Sequence, residues 1–281
     1  MLYQLSDLIN RVRDHIGENR SHGNTDINKI LDHINEASNK VASKMMGIRK
    51  DSLLTYLDVS LTGELYYSLP RGIESVSFIE DISNGANTPY DTVPIEFENR
   101  YQYVLDKVAT YDSRRYTIQR NKLIMPSKDN SGTLRVWYSF IPKRLLYFTA
   151  SSSNDNTVVS PASVTVGSLI TIDDYYNGMF VITDNGQYRE VTDFVGSTRT
   201  FLVDSAWDSN PGATTVVSVI PPIWPRFQDL IHLEAGRSMR VSLDMDINEI
   251  SYQIKERYDE MEECLQQYSK QETQHVRKIG R

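Results

Sequence analysis

Five histidines, one cysteine and a few runs of neighbouring acids are the residues of this 281-residue chain whose types could carry chemistry. Their spacing decides whether they do. Asp244-x-Asp246-x-Asn248 opens like a calcium loop, but position six is Glu249 where glycine is needed and position twelve is Lys255 where a bidentate glutamate is needed. Helix capping explains the run better. Asp173-Asp174 and Glu262-Glu263 are candidate carboxylate pairs for acid/base work, yet adjacent residues of a strand or helix point in different directions. Solvated surface is the simpler reading of both. His15, His22, His33, His232 and His275 are scattered, and none shares metal-ligand spacing with Cys264 or with a second histidine on one helix face. G-x-G-x-x-G, G-x-x-x-x-G-K-[ST], G-x-S-x-G and H-E-x-x-H do not occur, so phosphate-cradling, nucleophile-elbow and zincin signatures are missing. The expectation is a chain with no catalytic residues, no metal site and no cofactor.

Composition points the same way. A hydrophobic share of 40% and a charged share of 24% are globular values, and 281 residues allow about two domains. Seventeen tyrosines suit half-buried strands and interfaces. A net charge of -7 argues against a surface that grips nucleic acid throughout, because counterion release needs clustered cations. The single cysteine, Cys264, forms no internal disulfide and reads as a helix-surface or interface residue. Charges interrupt the apolar positions of the first 17 residues, unlike a signal peptide, and no run approaches the roughly 20 apolar residues of a membrane span. Folding in a reducing cytoplasm without a membrane is expected.

The elements that must position these residues follow from periodicity. Leu2, Leu5, Ile9, Val12 and Ile16 share one helical face, with Gly17 as C-cap. Thr25 or Asp26 can cap a second helix striped by Ile27, Ile30, Leu31, Ile34, Ala37, Val41 and Met45, which Gly47 ends. Alternation then predicts antiparallel strands joined by short turns: 53–59, a Thr62-Gly63 turn, 65–69, 73–79, and after a short helix and loop at 94–113, 115–118, 122–125 and 133–140. A Ser/Asn-rich joint at 150–160 leads into β-like sequence at 164–219, with turns at Tyr176-Asn177-Gly178, Asp184-Asn185-Gly186 and Asn210-Pro211-Gly212.

Helical periodicity returns after Pro221-Pro222 with Phe227, Leu230, Ile231, Glu234 and Ala235. Asp246 and Glu249 approximate a capping box for a last helix striped by Ile247, Ile250, Ile254, Tyr258, Met261, Leu265 and Tyr268. Four one-sided stripes at the two ends are most simply buried against one another. The expected fold is therefore α+β: a discontinuous helical bundle from 1–50 and 223–268, an inserted antiparallel β domain at 51–149, a second small β module at 150–220, and an extended C-terminal arm at 269–281. In the arm, His275, Val276, Arg277, Lys278, Ile279 and Arg281 are basic or aliphatic with no acid among 275–281, as in a segment that orders on a partner.

Three stretches resemble the head-to-tail adaptor, or connector, proteins of tailed bacteriophages, similar to podophage tail tubular protein A and tail accessory factors. They are Asp7-Leu8-Ile9-Asn10 with Ile30-Leu31-Asp32-His33-Ile34-Asn35-Glu36-Ala37; the strands 64–73, 121–126 and 132–138 with their tyrosine-leucine-proline pattern; and Trp224-Pro225-Arg226-Phe227 through Gly236, followed by 258–265. The resemblance implies a virion protein of the neck: a homo-oligomeric ring, usually of twelve subunits, seated beneath the portal protein. Such a ring widens the DNA channel and offers a platform for tail or nozzle proteins and fibres, while genomic DNA passes without specific binding. The C-terminal arm, His275 to Arg281, is the portal-binding segment this implies, and the 247–268 stripe supplies bundle and ring contacts. An acidic chain suits a conduit through which DNA must slide, and heptad-like helices with tyrosines suit lateral ring contacts. Two other readings remain open: a tail fibre or host-attachment subunit whose β modules recognise a glycan, and a cell-wall glycan hydrolase whose Glu and Asp pairs meet in space.

Overall fold

The computed structural model describes residues 3–18, 25–69, 73–84, 90–99, 114–120, 122–126, 131–140 and 142–279. The chain is mixed α and β and rich in strands, and it divides into two compact units: Met1–Leu53 with Ile141–Arg281, and Leu54–Phe140.

The first unit begins with α1 (Leu5–His15) and α2 (Ile27–Ile48). Gln4 and Asp7 form a reciprocal capping box at the start of α1. At its end Gly17 takes φ +72°, Gly17 N–H donates to Asp14 O, and Glu18 N–H donates to Arg13 O, which is a Schellman stop. Asp26, rather than Thr25, caps α2 by accepting from Asn28 N–H. Gly47 lies inside that helix, one residue short of its end.

A seven-stranded sheet of the same unit comprises β8 (Leu146–Thr149), β9 (Ser152–Asn154), β10 (Thr157–Val159), β11 (Phe180–Thr183), β12 (Tyr188–Val195), β13 (Thr200–Val203) and β14 (Val216–Ile220), ordered β8-β14-β11-β12-β13-β10-β9 with every pairing antiparallel. Asp184-Asn185-Gly186 makes the β11–β12 hairpin, with Gly186 at φ +84°. A 3-10 turn at Pro225–Phe227 leads to α3 (Asp229–Ser242), and α4 (Asn248–Ile279) ends the unit.

Helices from both ends of the chain share one core with this sheet. Leu5, Leu8, Ile9 and Val12, Ile30, Leu31, Ile34 and Met45, Phe227, Leu230, Ile231 and Met239, and Ile250, Ile254, Met261 and Leu265 are all buried in it beside Leu145, Val166, Ile182 and Ile220. Strand alternation explains how. Ile182 and Ile220 face the helices, as does Ser218, whose Oγ accepts from Leu5 N–H at the start of α1. Val181, Val217 and Val219 turn to the other face, with buried Phe148, Phe194, Phe201 and Tyr176. A sheet buried on both faces reads as a continuous apolar run, which is why β14 is Val-Val-Ser-Val-Ile.

This arrangement differs from the expected separate β module at 150–220, because the module's inner face completes the helical core. The boundary at 149 also moves, since β8 pairs with β14 and so belongs with the helices. The last helix does not stop at Tyr268: its backbone continues to Ile279, so 269–279 is helical rather than an extended arm.

The second unit is a sheet of β1 (Leu54–Thr62), β2 (Tyr66–Ser68), β3 (Ile73–Asp81), β4 (Tyr90–Pro94), β5 (Arg114–Gln119), β6 (Lys122–Ile124) and β7 (Ser131–Phe140), ordered β1-β7-β3-β4-β5-β6-β2. The Thr62-Gly63 turn does not close a hairpin, because β1 pairs with β7 while β2 pairs with β6 at the other edge. Tyr67 holds that turn instead: its hydroxyl oxygen accepts from Thr62 N–H at 2.9 Å and Glu64 N–H at 3.0 Å. One pairing, β4 with β5, is parallel rather than antiparallel. Val59, Leu61, Leu123, Leu134, Val136 and Ile79 fill its core. Of the expected helix and loop at 94–113, residues 97–99 form a 3-10 turn and 100–113 lie outside the described residues.

Replacing 151–220 with a short Gly/Ser linker removes Val166, Ile182 and Ile220 from the helical core, each worth about 1.5–3 kcal/mol of burial. The expected outcome is a lower melting temperature and a reduced helical circular-dichroism signal. A native melting curve would show the sheet to be detachable.

Candidate functional site

The helices of the first unit meet around two polar nodes buried where α3 passes α1, α2 and α4. At the first, His15 of α1 and His232 of α3 stack at 5.2 Å between centroids, and His15 Nε2 lies 3.0 Å from His232 Nδ1, one ring donating to the other. Tyr3 closes the site edge-on at 5.9 Å, and Arg240 Nε donates to His15 O at 2.6 Å. Only glycine fits at 236: a Cβ there would sit 2.7 Å from His15 Cδ2. A mid-helix glycine costs about 1 kcal/mol relative to alanine, so this close approach is the reason for it.

Burial first, then the mutual approach of the two rings and Arg11, holds His232 far below its ordinary range, at about 3. Burial first, then Arg240, lowers His15 as well. Both rings are therefore neutral near pH 7.

The second node is Glu234 of α3. Its side chain is 3% exposed, and Lys40 Nζ of α2 reaches its carboxylate at 2.8 Å while Arg237 Nη2 reaches it at 3.0 Å. Tyr258 of α4 packs nearby; burial first, and then the Glu234 charge, drives its hydroxyl's titration upward. Around the nodes, Ser238 Oγ bonds His33 Nδ1 at 2.9 Å, and Arg257 Nε donates to Asp229 Oδ2 at 2.6 Å. These contacts fix α2, α3 and α4 in register.

The acids singled out in the sequence resolve into structural roles. Asp246 accepts from Asn248 N–H at 3.0 Å at the start of α4. Asp173 accepts from Gly196 N–H at 2.8 Å. Asp174 is raised to about 6, by burial first and then by a hydrogen bond with Asp193. Two carboxyl groups bonded to each other leave no room for a glycosidic bond between them, which removes this pair as hydrolase machinery. Among the described residues no group of three His, Cys, Asp or Glu side chains is placed to hold a metal ion, and no helix is long and apolar enough to cross a membrane.

The α4 stripe sits where its periodicity puts it. Ile250, Ile254, Met261 and Leu265 are buried in their own chain's core, with Ile247 and Tyr258 half-buried against it. These buried side chains are thus taken up by bundle packing within the chain. The outer face of α4 offers Tyr252, 63% exposed, and the α3–α4 turn exposes Val241, Leu243 and Met245. For Tyr268 and His275 to Ile279 the structure describes helical backbone only, and Arg281 lies outside the described residues.

The chain belongs to the SU10 adaptor protein family, whose profile matches residues 3–178, from the start of α1 to the loop before β11. No curated protein matches the chain.

Two predictions follow from the nodes. Removing both cations (Lys40→Met with Arg237→Met) leaves Glu234 buried and unpaired and should cost about 3–5 kcal/mol, whereas Glu234→Gln frees two partly exposed cations and should cost far less, as read from urea midpoints. Between about pH 6 and 4, His232 and Asp174 oppose each other. The unfolded chain takes up a proton at histidine's ordinary 6.5 that folded His232 refuses until about 3, so acidification destabilises. Folded Asp174 takes up its proton at about 6, before the unfolded chain does, so acidification stabilises. Asp174→Asn should thus steepen the loss of stability on acidification, by at most about 1.4 kcal/mol per pH unit, and His232→Asn should flatten or reverse it. Identical pH profiles for both variants and wild type would contradict the pairing.

Proposed function

We propose that this chain is a head-to-tail adaptor of a tailed phage, a non-enzymatic virion protein that forms a ring between portal and tail. The observation carrying the reading is the match of residues 3–178 to the SU10 adaptor protein family. Twelve copies in a closed ring extend the DNA channel, and tail or nozzle proteins dock on its outer surface. The net charge of -7 supports a conduit that DNA crosses without specific binding. Residues 269–281 reach the portal. Val276 and Ile279 bury there, while Arg277, Lys278 and Arg281 pair with acids, offsetting an ordering cost of roughly 1–2 kcal/mol per residue for whatever part of the segment is not already helical.

Mixing the protein with portal rings and imaging by cryo-EM tests the reading: rings of this chain seated on the portal are expected, weakened by added salt. Truncation after Tyr268 keeps all the α4 positions buried in the core through Leu265, so the melting temperature should hold while portal decoration is lost. Full decoration by the truncated chain would overturn the role of the segment. Absence of any complex with the full-length chain would overturn the adaptor reading itself.

A further inference from the structure

The β1–β7–β3–β4 face turned away from the core of the second unit carries a continuous aromatic and aliphatic row. Register places Tyr56 of β1 opposite Trp137 of β7, and Trp137 opposite Phe78 of β3. Glu80 is paired with Asp91 of β4, so Val93, two residues along, stands on the same face. Phe78 is 43% and Val93 40% exposed. A charged row lies one step along the strands, with Asp58 paired to Arg135 and Arg135 to Glu80.

The two rows are locked together. Arg135 Nε and Nη2 each donate to an Asp58 oxygen at 2.9 Å, and the guanidinium lies 4.0 Å from the Tyr56 ring centre. Trp137 Nε1–H donates to Glu80 Oε2 at 2.8 Å. Tyr56 packs on Trp137 at 5.0 Å between ring centres, and Phe78 stacks on it at 5.5 Å and 21°. The side chains are thus held in place before any partner arrives, which lowers the cost of binding.

The charge count selects the partner. Within Asp58, Arg135 and Glu80 there are two anions and one cation: Arg135 donates to Asp58 and also feels the Glu80 charge. The Glu80 carboxylate itself accepts from a neutral donor, the Trp137 indole, so these three groups together carry one net negative charge beside the exposed ring of Phe78. An arginine fits both features, its guanidinium stacking on the ring while donating to the carboxylate. The same charge repels phosphate backbones. Glycan stacking needs ring faces lying flat on the surface, whereas Phe78 and Trp137 stand against one another and spend a face each on that contact.

We propose that the Tyr56–Trp137–Phe78–Val93 row with Glu80 is a docking surface for an arginine-bearing segment of another protein. The surface is built wholly from residues of the second unit, and the proposal does not rest on the adaptor reading.

The Trp137 indole N–H reports directly on the site, and its NMR signal is assigned by its loss in Trp137→Phe. Titrating the full chain with the capped peptide Gly-Gly-Arg-Gly-Gly should move that signal saturably, leaving those of Trp207 and Trp224 in place. The same peptide with citrulline for arginine should have no effect. Glu80→Gln keeps an acceptor for the indole and therefore the fold, and should weaken arginine-peptide binding roughly tenfold or more. Phe78→Ala should weaken it as well with the melting temperature unchanged. Equal response to citrulline, equal shifts at all three tryptophans, no saturable shift up to the peptide's solubility limit, or a saturable shift with chitohexaose instead would each overturn the proposal.

Discussion

Glu234 carries a charge in a place that ordinarily forbids one. Removing a carboxylate from water costs several kcal/mol unless cations and donors replace the solvent, and here the replacements come from different helices. Lys40 arrives from α2, 194 residues earlier, and Arg237 from the next turn of α3. Lys40 reaches the carboxylate only when α2 lies alongside α3, so this pairing ties the N-terminal helices to the C-terminal ones. The His15–His232 contact imposes the same condition on α1, across 217 residues. Apolar burial supplies most of the driving force, but it is non-directional. The polar nodes choose one register among the many that would bury the same stripes.

How much of this was legible in the sequence depended on whether a residue's role was local. The stripes of α1 and α2, the Gly17 stop and the Asp26 cap are set by residues within a turn or two, and they could be read directly. Strand positions such as 54–62 and 131–140 followed from alternation. Strand partners did not, because pairing is a long-range choice: Thr62-Gly63 looks like a hairpin turn, yet Tyr67 ties the turn to itself and sends β2 to the far edge. Equally hidden was the double role of β14, whose continuous apolar run is compatible with a core strand in any module. Only Ser218 hinted that one face would meet a polar group, the first amide of α1.

The polar nodes were illegible for a different reason. His15, His33 and His232 are scattered along the chain, with no metal-ligand spacing among them. Nothing local says that two of them will stack, or that Gly236 exists to let them. Asp173-Asp174 reads as solvated surface for the same reason: the partner that Asp174 meets is Asp193 on β12, a contact no local spacing announces. The aromatic row on the second unit is likewise assembled from three strands spread over 82 residues, visible only once the register is known.

The second unit is a single insertion in the chain that builds this core. The chain enters at Leu54 and leaves at Phe140, and Leu54 is paired with Ser139. Entry and exit are therefore neighbours on adjacent strands, about 5 Å apart as in any antiparallel pair. The two units hold their polar groups in different ways. The helical unit fixes its register through a buried carboxylate that Lys40 and Arg237 must reach, so it tolerates little change there. In the inserted sheet the Asp58–Arg135 pair and the Trp137–Glu80 bond join neighbouring strands at the surface, where loss of one partner leaves the other in reach of water.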